Sequence, residues 1–416
     1  MARVLLVLPT GTYRAGDFLA AARVLGVEVV VASERRLVSL GDAQVTLDLR
    51  RPDAAAAAIV AAAKEAPLDA VVAVDDPGVR VAALAAERLG LPGNPVSAAA
   101  LTRDKAAMRR ALAAGGVAQP AHRTIGPSDD AATAAVEVGL PCVVKPLSLS
   151  ASRGVIRAND PRAAAAAAAR VRSIIAEAGE DPDGRLLIER YVPGAEVAVE
   201  SLLRAGALEP LAIFDKPDPL EGPYFEETIL VTPSRLPDET VSAVIRTTAD
   251  ACAALGLREG PVHAELRAHG GHVWMLELAA RSIGGLCSRS LRFGVGVSLE
   301  ELILRHALGL PLGDPRRETA ASGVMMLPIP RAGVLREVRG QEEARAVPGI
   351  AGLEISVARN RPVRPLPEGD RYLGFLFARG DTPAQVEHAL RAAHARLEVD
   401  IADPAPSERT PATAGA

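Results

Sequence analysis

Short apolar runs alternate along this chain with longer segments whose apolar positions recur at helical spacing. Arg3 to Leu8 is rich in Val and Leu and ends at Pro9-Thr10-Gly11, the pattern of a buried parallel strand running into a loop. A helix over Asp17 to Leu25, closed by Gly26, and a strand over Val27 to Ala32 follow. The pattern then repeats, with a helix over Pro52 to Ala66, a strand over Ala70 to Val74, a turn at Asp75 to Gly78 and a helix over Val79 to Leu89. Such alternation predicts a doubly wound parallel sheet, a Rossmann-like N-terminal domain over residues 1–95, with the Pro- and Gly-bearing Leu91 to Pro95 as a linker.

Beyond the linker the pattern changes. A helix is predicted over Thr102 to Ala114, with Thr102 as cap, then a strand over Pro141 to Pro146, a polar loop over Ser148 to Arg153 and an alanine-rich helix over Pro161 to Glu177. Three strands, Leu186 to Tyr191, Val197 to Leu203 and Leu211 to Phe214, read as one antiparallel sheet. A helix over Thr240 to Leu255 precedes strands His263 to Ala268 and His272 to Leu278, joined by His269-Gly270-Gly271. A helix over Ser298 to Leu308 and a linker at Leu310 to Pro315 close a central domain over 96–315. Strands at Val324 to Pro328, Gly352 to Val357 and Tyr372 to Ala378, with a helix over Thr382 to Leu397, predict a small α+β domain over 316–402. Residues 403–416, rich in Pro, Ala and Thr, read as a disordered tail. The fold class is therefore α/β and α+β, multidomain.

Composition narrows the function. With 416 residues the chain has room for about three domains and a cleft between them. A net charge of −4 excludes the basic excess of a nucleic-acid binder. Mean hydropathy is +0.17 because of alanine, and no apolar run is long enough for a membrane helix. Met1 to Pro9 is too short for the apolar region of a signal peptide, and the distant Cys142, Cys252 and Cys287 form neither a disulfide framework nor a zinc pattern, so a reducing cytosol is expected. Only four of the 47 basic residues are lysines, Lys64, Lys105, Lys145 and Lys216, so a lysine here hints at a specific need.

Candidate chemistry gathers in the central domain. Glu265 and Glu277 lie on two strands joined by a tight turn, and pairing could bring both carboxylates to one face; a divalent cation between them would relieve their repulsion, while two solvent-facing acids are the alternative. Arg281, followed by Ser282, Gly284 and Gly285, is placed to grip a phosphate or carboxylate. Lys145 ends an apolar strand just before Ser148 to Gly154, whose small hydroxyl residues let backbone amides approach a triphosphate. The segment Leu186 to Glu196 offers backbone groups for an adenine and, in Glu196, an acceptor for ribose hydroxyls.

In order and spacing, Lys105 in Thr-Arg-Asp-Lys-Ala-Ala-Met, Lys145 in Val-Val-Lys-Pro, Glu189 to Glu196, Glu265, and Glu277 to Arg281 resemble the ATP-grasp superfamily over about residues 1 to 310. The loop Leu149 to Val155, the pair Val262 to Leu266 and Glu277 to Gly285, and the C-terminal unit resemble its carboxylate-amine ligase branch, which includes L-amino-acid (dipeptide) ligases. The resemblance implies an ATP-dependent ligase in which a carboxylate takes the γ-phosphoryl group and an amine displaces it. It implies that Lys105, Lys145, Ser152 and Gly154 hold phosphates, that Glu189 and the Tyr191 to Val192 backbone hold adenine, and that Glu196 holds ribose. Glu265 and Glu277 would bind magnesium, with manganese as alternative, and Arg281, with Glu277, would carry the catalytic charge stabilisation. His263, Glu227, Gly284 and Gly285 are assigned to the substrates, a small carboxylate and an amine; neither nucleic acid nor membrane is expected as partner, and a homodimer is allowed.

Three departures qualify the resemblance. The phosphate loop keeps only Gly154. The position two after Glu277, commonly a metal-ligating asparagine in the superfamily, is Ala279, which removes one oxygen ligand and bears on a second metal. The region Asp215-Lys216-Pro217 and Tyr224 to Glu227 carries no readable substrate motif, although Glu226 or Glu227 could meet an ammonium group. Two alternatives stay open: an ATP-grasp carboxylase or purine-pathway-type ligase, and a non-catalytic ATP-binding regulatory protein.

Overall fold

The computed structural model describes residues 1–36 and 43–403; apart from Asp403, the expected tail lies outside them. The first unit is a four-stranded parallel sheet in the order Gln44–Thr46, Glu28–Ser33, Arg3–Val7, Ala70–Ala73. Val4, Leu6 and Leu8 point to one face, where Phe18, Ala21 and Ala22 of helix Ala15–Leu25 cover them. Leu5 and Val7 point to the other, against Ala55, Ala56 and Ile59 of helix Pro52–Glu65. Both faces are buried, as continuous apolar strands require.

The second unit is a four-stranded antiparallel sheet in the order His122–Ile125, Leu186–Arg190, Cys142–Pro146, Ile156–Ala158. Helix Pro161–Glu177 covers it with Ala164, Ala167, Ala168, Val171 and Ile175, the i, i+3, i+4, i+7 stripe of an amphipathic helix. Asp160 caps that helix by accepting from the Ala163 N–H.

The third unit is an eight-stranded sheet in the order His272–Ala279, Gly260–His269, Ala195–Arg204, Ala207–Asp215, Ile229–Thr232, Ala321–Leu327, Gly374–Gly380, Ile350–Ile355. Two expectations are corrected here. Strand Leu186–Arg190 pairs with Cys142–Pro146 in the second sheet rather than with Ala195–Arg204, because the turn at Pro193 and Gly194 separates the two strands into different sheets. The helix over 102–114 starts at Lys105 with Asp104 as its cap, accepting from the Ala107 N–H, whereas Thr102 bonds back to the Ala99 carbonyl. The C-terminal strands from Ala321 onward continue the central sheet through Ile229–Thr232.

The hairpin Gly260–His269/His272–Ala279 shows how the sheet positions chemistry. Val262, Ala264, Leu266, Met275 and Leu278 face a core shared with Val244, Ala251 and Cys252 of helix Asp238–Leu255. Alternation then turns His263, Glu265 and Arg267 to the opposite face, which lines a cleft.

Candidate active site

The cleft, about 1000 Å³ with its open mouth, is lined by residues of the second and third units and of the segments joining them. Glu265 and Glu277 are direct cross-strand partners in its wall. Their sharing one face depends on a bulge. Leu266 pairs with Met275 and Glu265 with Glu277, so Leu276 is an extra residue that resets the pleat between the core residues Met275 and Leu278. Arg109, buried on helix Lys105–Ala114, holds that bulge by donating to the Met275 carbonyl (3.1 Å) and the Leu276 carbonyl (2.6 Å).

The Nε of Arg109 donates to Glu189, whose other oxygen pairs with Lys145. Burial alone would raise the Glu189 carboxyl, but the two cations hold it down at about 2. Its carboxylate is thus engaged by cations, which differs from the direct adenine contact expected for it. Lys105 Nζ reaches Glu277 at 3.1 Å and donates to the Leu149 carbonyl at 2.9 Å, joining the acidic hairpin to the loop over 148–154. In that loop Ala151 and Ser152 adopt φ of +56° and +55°. Left-handed backbone costs an L-residue about 1–2 kcal/mol, so these two take conformations usually left to glycine.

Around Glu196 the cleft is densely ionic. Lys216 Nζ contacts Glu196 (2.8 Å), Glu227 and Glu265 (3.4 Å), and Arg267 Nε donates to Glu196 at 2.7 Å. Carboxylate oxygens of Glu196, Glu227 and Glu265 lie within 4.8 Å of one another. Burial, reinforced by Glu265, pushes the Glu227 carboxyl up to about 7 against the pull of Lys216, while Lys216 and His263 keep Glu265 well below the ordinary range despite its burial. His263 Nδ1 is bonded to buried Glu200 and its Nε2 lies 3.5 Å from Glu265. Burial would strip its proton, but Glu200 holds the imidazolium up to about 9.

Tyr191 stacks on Phe225 with ring centroids 6.4 Å apart, and Arg157 and Arg267 lie over the Tyr191 ring. The Tyr191 N–H donates to the Pro141 carbonyl and the Val192 carbonyl accepts from Arg267, so both backbone groups are engaged within the protein, fewer being left for a base than expected. Arg281 lines the cleft; Nη2 donates to Asp76 at 2.9 Å. Beyond it, Gly285 has φ +60°, and a Cβ there would meet the Phe375 ring at 2.9 Å, so the residue serves close packing. Neither Gly284 nor Gly285 is among the residues lining the cleft, whereas Ser152 is; Gly154 is tied by its N–H to the Pro367 carbonyl.

Residues 138–290 match the ATP-grasp domain family, 19–93 the ATP-grasp N-terminal domain and 325–402 the L-amino acid ligase C-terminal domain 2. The chain belongs to the ATP-grasp family. Among curated relatives, alanine–anticapsin ligase of Bacillus subtilis is 28% identical over 254 residues, 57% of this chain and 53% of that protein. D-Alanine–D-alanine ligase of Pseudomonas putida is 25% identical, over 52% of this chain and 68% of its own length. The chain spans about half the length of the first curated relatives it matches. In fold it resembles the L-amino acid ligase of Bacillus licheniformis, with a TM-score of 0.81, 24% identity, and 97% and 99% of the two chains covered.

For an ATP-grasp chain, Ala279 stands where the site lacks an oxygen: it pairs with His263 in the hairpin and contributes only a methyl group to the cleft. Glu265 and Glu277 remain, opposed and oxygen-bearing, a donor set that suits a hard divalent cation. Buried charged residues behind the cleft lining support it without any motif to mark them. Arg109, Glu200 and Asp76 sit on segments with no motif, and Lys216 stands out only by the scarcity of lysine and its place in the Asp215 to Pro217 region. Buried charge in a helix or strand is a usable signal, but its partners lie 63 to 205 positions away.

Proposed function

We propose that this chain is a cytosolic ATP-dependent ligase that joins a small carboxylate, an amino acid, to an amine. The observation that carries the reading is the convergence of Lys105, Lys145, the 148–154 loop, the opposed Glu265 and Glu277, and Arg281 in one cleft. The ligase names of its relatives and the match of residues 325–402 to an L-amino acid ligase domain support an amino-acid substrate over a carboxylase or purine-pathway reaction.

In this reading Lys105, Lys145 and Ser152 grip the phosphates of ATP, Gly154 anchors the end of their loop through its bond to Pro367, and Glu189 acts by orienting Lys145. Tyr191, Val192 and Glu196 line the nucleoside end, the Tyr191 ring offering a stacking surface. Glu265 and Glu277 would hold magnesium, or manganese, which neutralises phosphate charge when bound. Arg281 stabilises charge on the transferring phosphoryl group while the substrate carboxylate attacks it, and on the adduct formed when the amine displaces phosphate. Positioning dominates catalysis of this kind, which suits a cleft in which Lys105, Lys145 and Arg281 are each fixed by a carboxylate or carbonyl. His263 and Glu227 face the substrates, Glu227 as partner to an ammonium group.

The test is phosphate release from magnesium-ATP by the purified protein with pooled L-amino acids or pooled small carboxylates. Release that depends on one pool is the expected result. The missing oxygen at Ala279 favours a second reading, a nucleotide-binding regulator; ATP binding with no release from any pool would select it.

A further inference from the structure

Asp76 belongs to the first unit, yet its carboxylate reaches into the ATP-grasp cleft wall. It opens the single turn Asp76–Gly78 after strand Ala70–Ala73 and is 9% exposed. The turn is tightly seated, since a Cβ on Gly78 would lie 2.9 Å from the Val7 carbonyl oxygen. Three donors from three separate segments converge on this carboxylate. Arg281 Nη2 donates to Oδ2 at 2.9 Å, Ser150 Oγ to the same oxygen at 3.0 Å, and Arg103 Nη1 lies 3.3 Å from Oδ1. Burial would raise the Asp76 carboxyl, but Arg281 and Arg103 hold it far below the usual range, so the group is a permanent anion.

Ser150 directly precedes Ala151 and Ser152, the two left-handed residues of the loop. A backbone in that region persists only where its surroundings over-determine it. Bonds from Ser150 to Asp76 at one end and from Gly154 to Pro367 at the other do this. The same Asp76 oxygen restrains Arg281, so loop and arginine share one anchor on the first unit. Resting on the ligase reading for the roles of loop and arginine, we propose that Asp76 is a positioning residue that sets the phosphate loop and Arg281 in register with each other.

The test uses the full chain. Ser150→Ala removes only the loop bond, Asp76→Asn keeps an acceptor but removes the charge, and Asp76→Glu restores the charge at greater reach. Amide hydrogen exchange of residues 148–154 without nucleotide should quicken about fivefold in Ser150→Ala, as loss of one hydrogen bond predicts, with exchange in strand Ala195–Arg204 unchanged. Affinity for methylanthraniloyl-ATP with magnesium should fall by a similar factor. In Asp76→Asn turnover should also drop, with Asp76→Glu recovering part of it, a split between kcat and nucleotide affinity that general destabilisation does not produce. Loop exchange and nucleotide affinity both unchanged in Ser150→Ala would overturn the proposal, and that variant decides the matter if Asp76→Asn does not fold. A wild-type chain that binds no nucleotide would instead sink the ligase reading, while loop exchange still judges Asp76.

Discussion

The two walls of the cleft are built in opposite ways. One is the hairpin carrying Glu265 and Glu277, a continuous ladder backed by the apolar face of helix Asp238–Leu255, with its single irregularity held by Arg109. The other is the 148–154 loop, with two residues in unfavourable backbone and a few hydrogen bonds at its edges. Under the proposed function the contrast divides labour: groups that would stay fixed during phosphoryl transfer sit on regular sheet, and groups that would admit and enclose a nucleotide sit on a loop held by a few hydrogen bonds.

This division can be broken by mutation. Arg281→Ala, read by ligand-dependent phosphate release, should lower kcat on the order of 10³-fold, since one charge-stabilising donor is removed. Glu277→Gln, on the rigid wall, should cut turnover by at least about 100-fold while leaving the fold intact by circular dichroism; undiminished ADP formation would refute its assignment. Glu189→Ala leaves Arg109 and Lys145 without their buried partner and should lower unfolding free energy by about 3 kcal/mol in urea titration. Because the native Glu189 carboxyl is depressed to about 2, its contribution is present above the ordinary carboxylate range near 4.5 and is lost as pH falls towards 2.

His263 sharpens the comparison in the other direction. Its native pKa is raised to about 9, so the Glu200 contact contributes fully below the ordinary value of 6.5 and is lost as pH rises through 9. NMR titration of metal-free protein should show this imidazole charged at pH 7.5, and a midpoint near 6.5 would contradict the Glu200 pairing. The smallest effect is expected on the loop wall: Ala151→Gly relieves the left-handed strain, raising unfolding free energy by up to about 1 kcal/mol, while a looser loop raises the KM for ATP a few-fold.

Local signals in the sequence determined a good deal. Pleat alternation with a Gly270-Gly271 turn identified the hairpin that carries Glu265 and Glu277, while the bulge that sets them opposite each other left no such mark. Apolar runs and helix stops marked the parallel first unit, and lysine scarcity pointed to Lys105 and Lys145. These features are legible because they depend on residues within a few positions of one another. Tertiary structure alone decided that Leu186–Arg190 leaves the neighbouring strand for another sheet, and that the C-terminal strands extend the central one. It alone showed that Leu276 is a bulge, that Glu189 serves Lys145, and that Asp76 meets Arg281 across 205 positions. A buried charge declares its need for a partner in its own sequence context, but which distant residue meets that need is fixed only when sheets and helices pack and bring the two within hydrogen-bond reach.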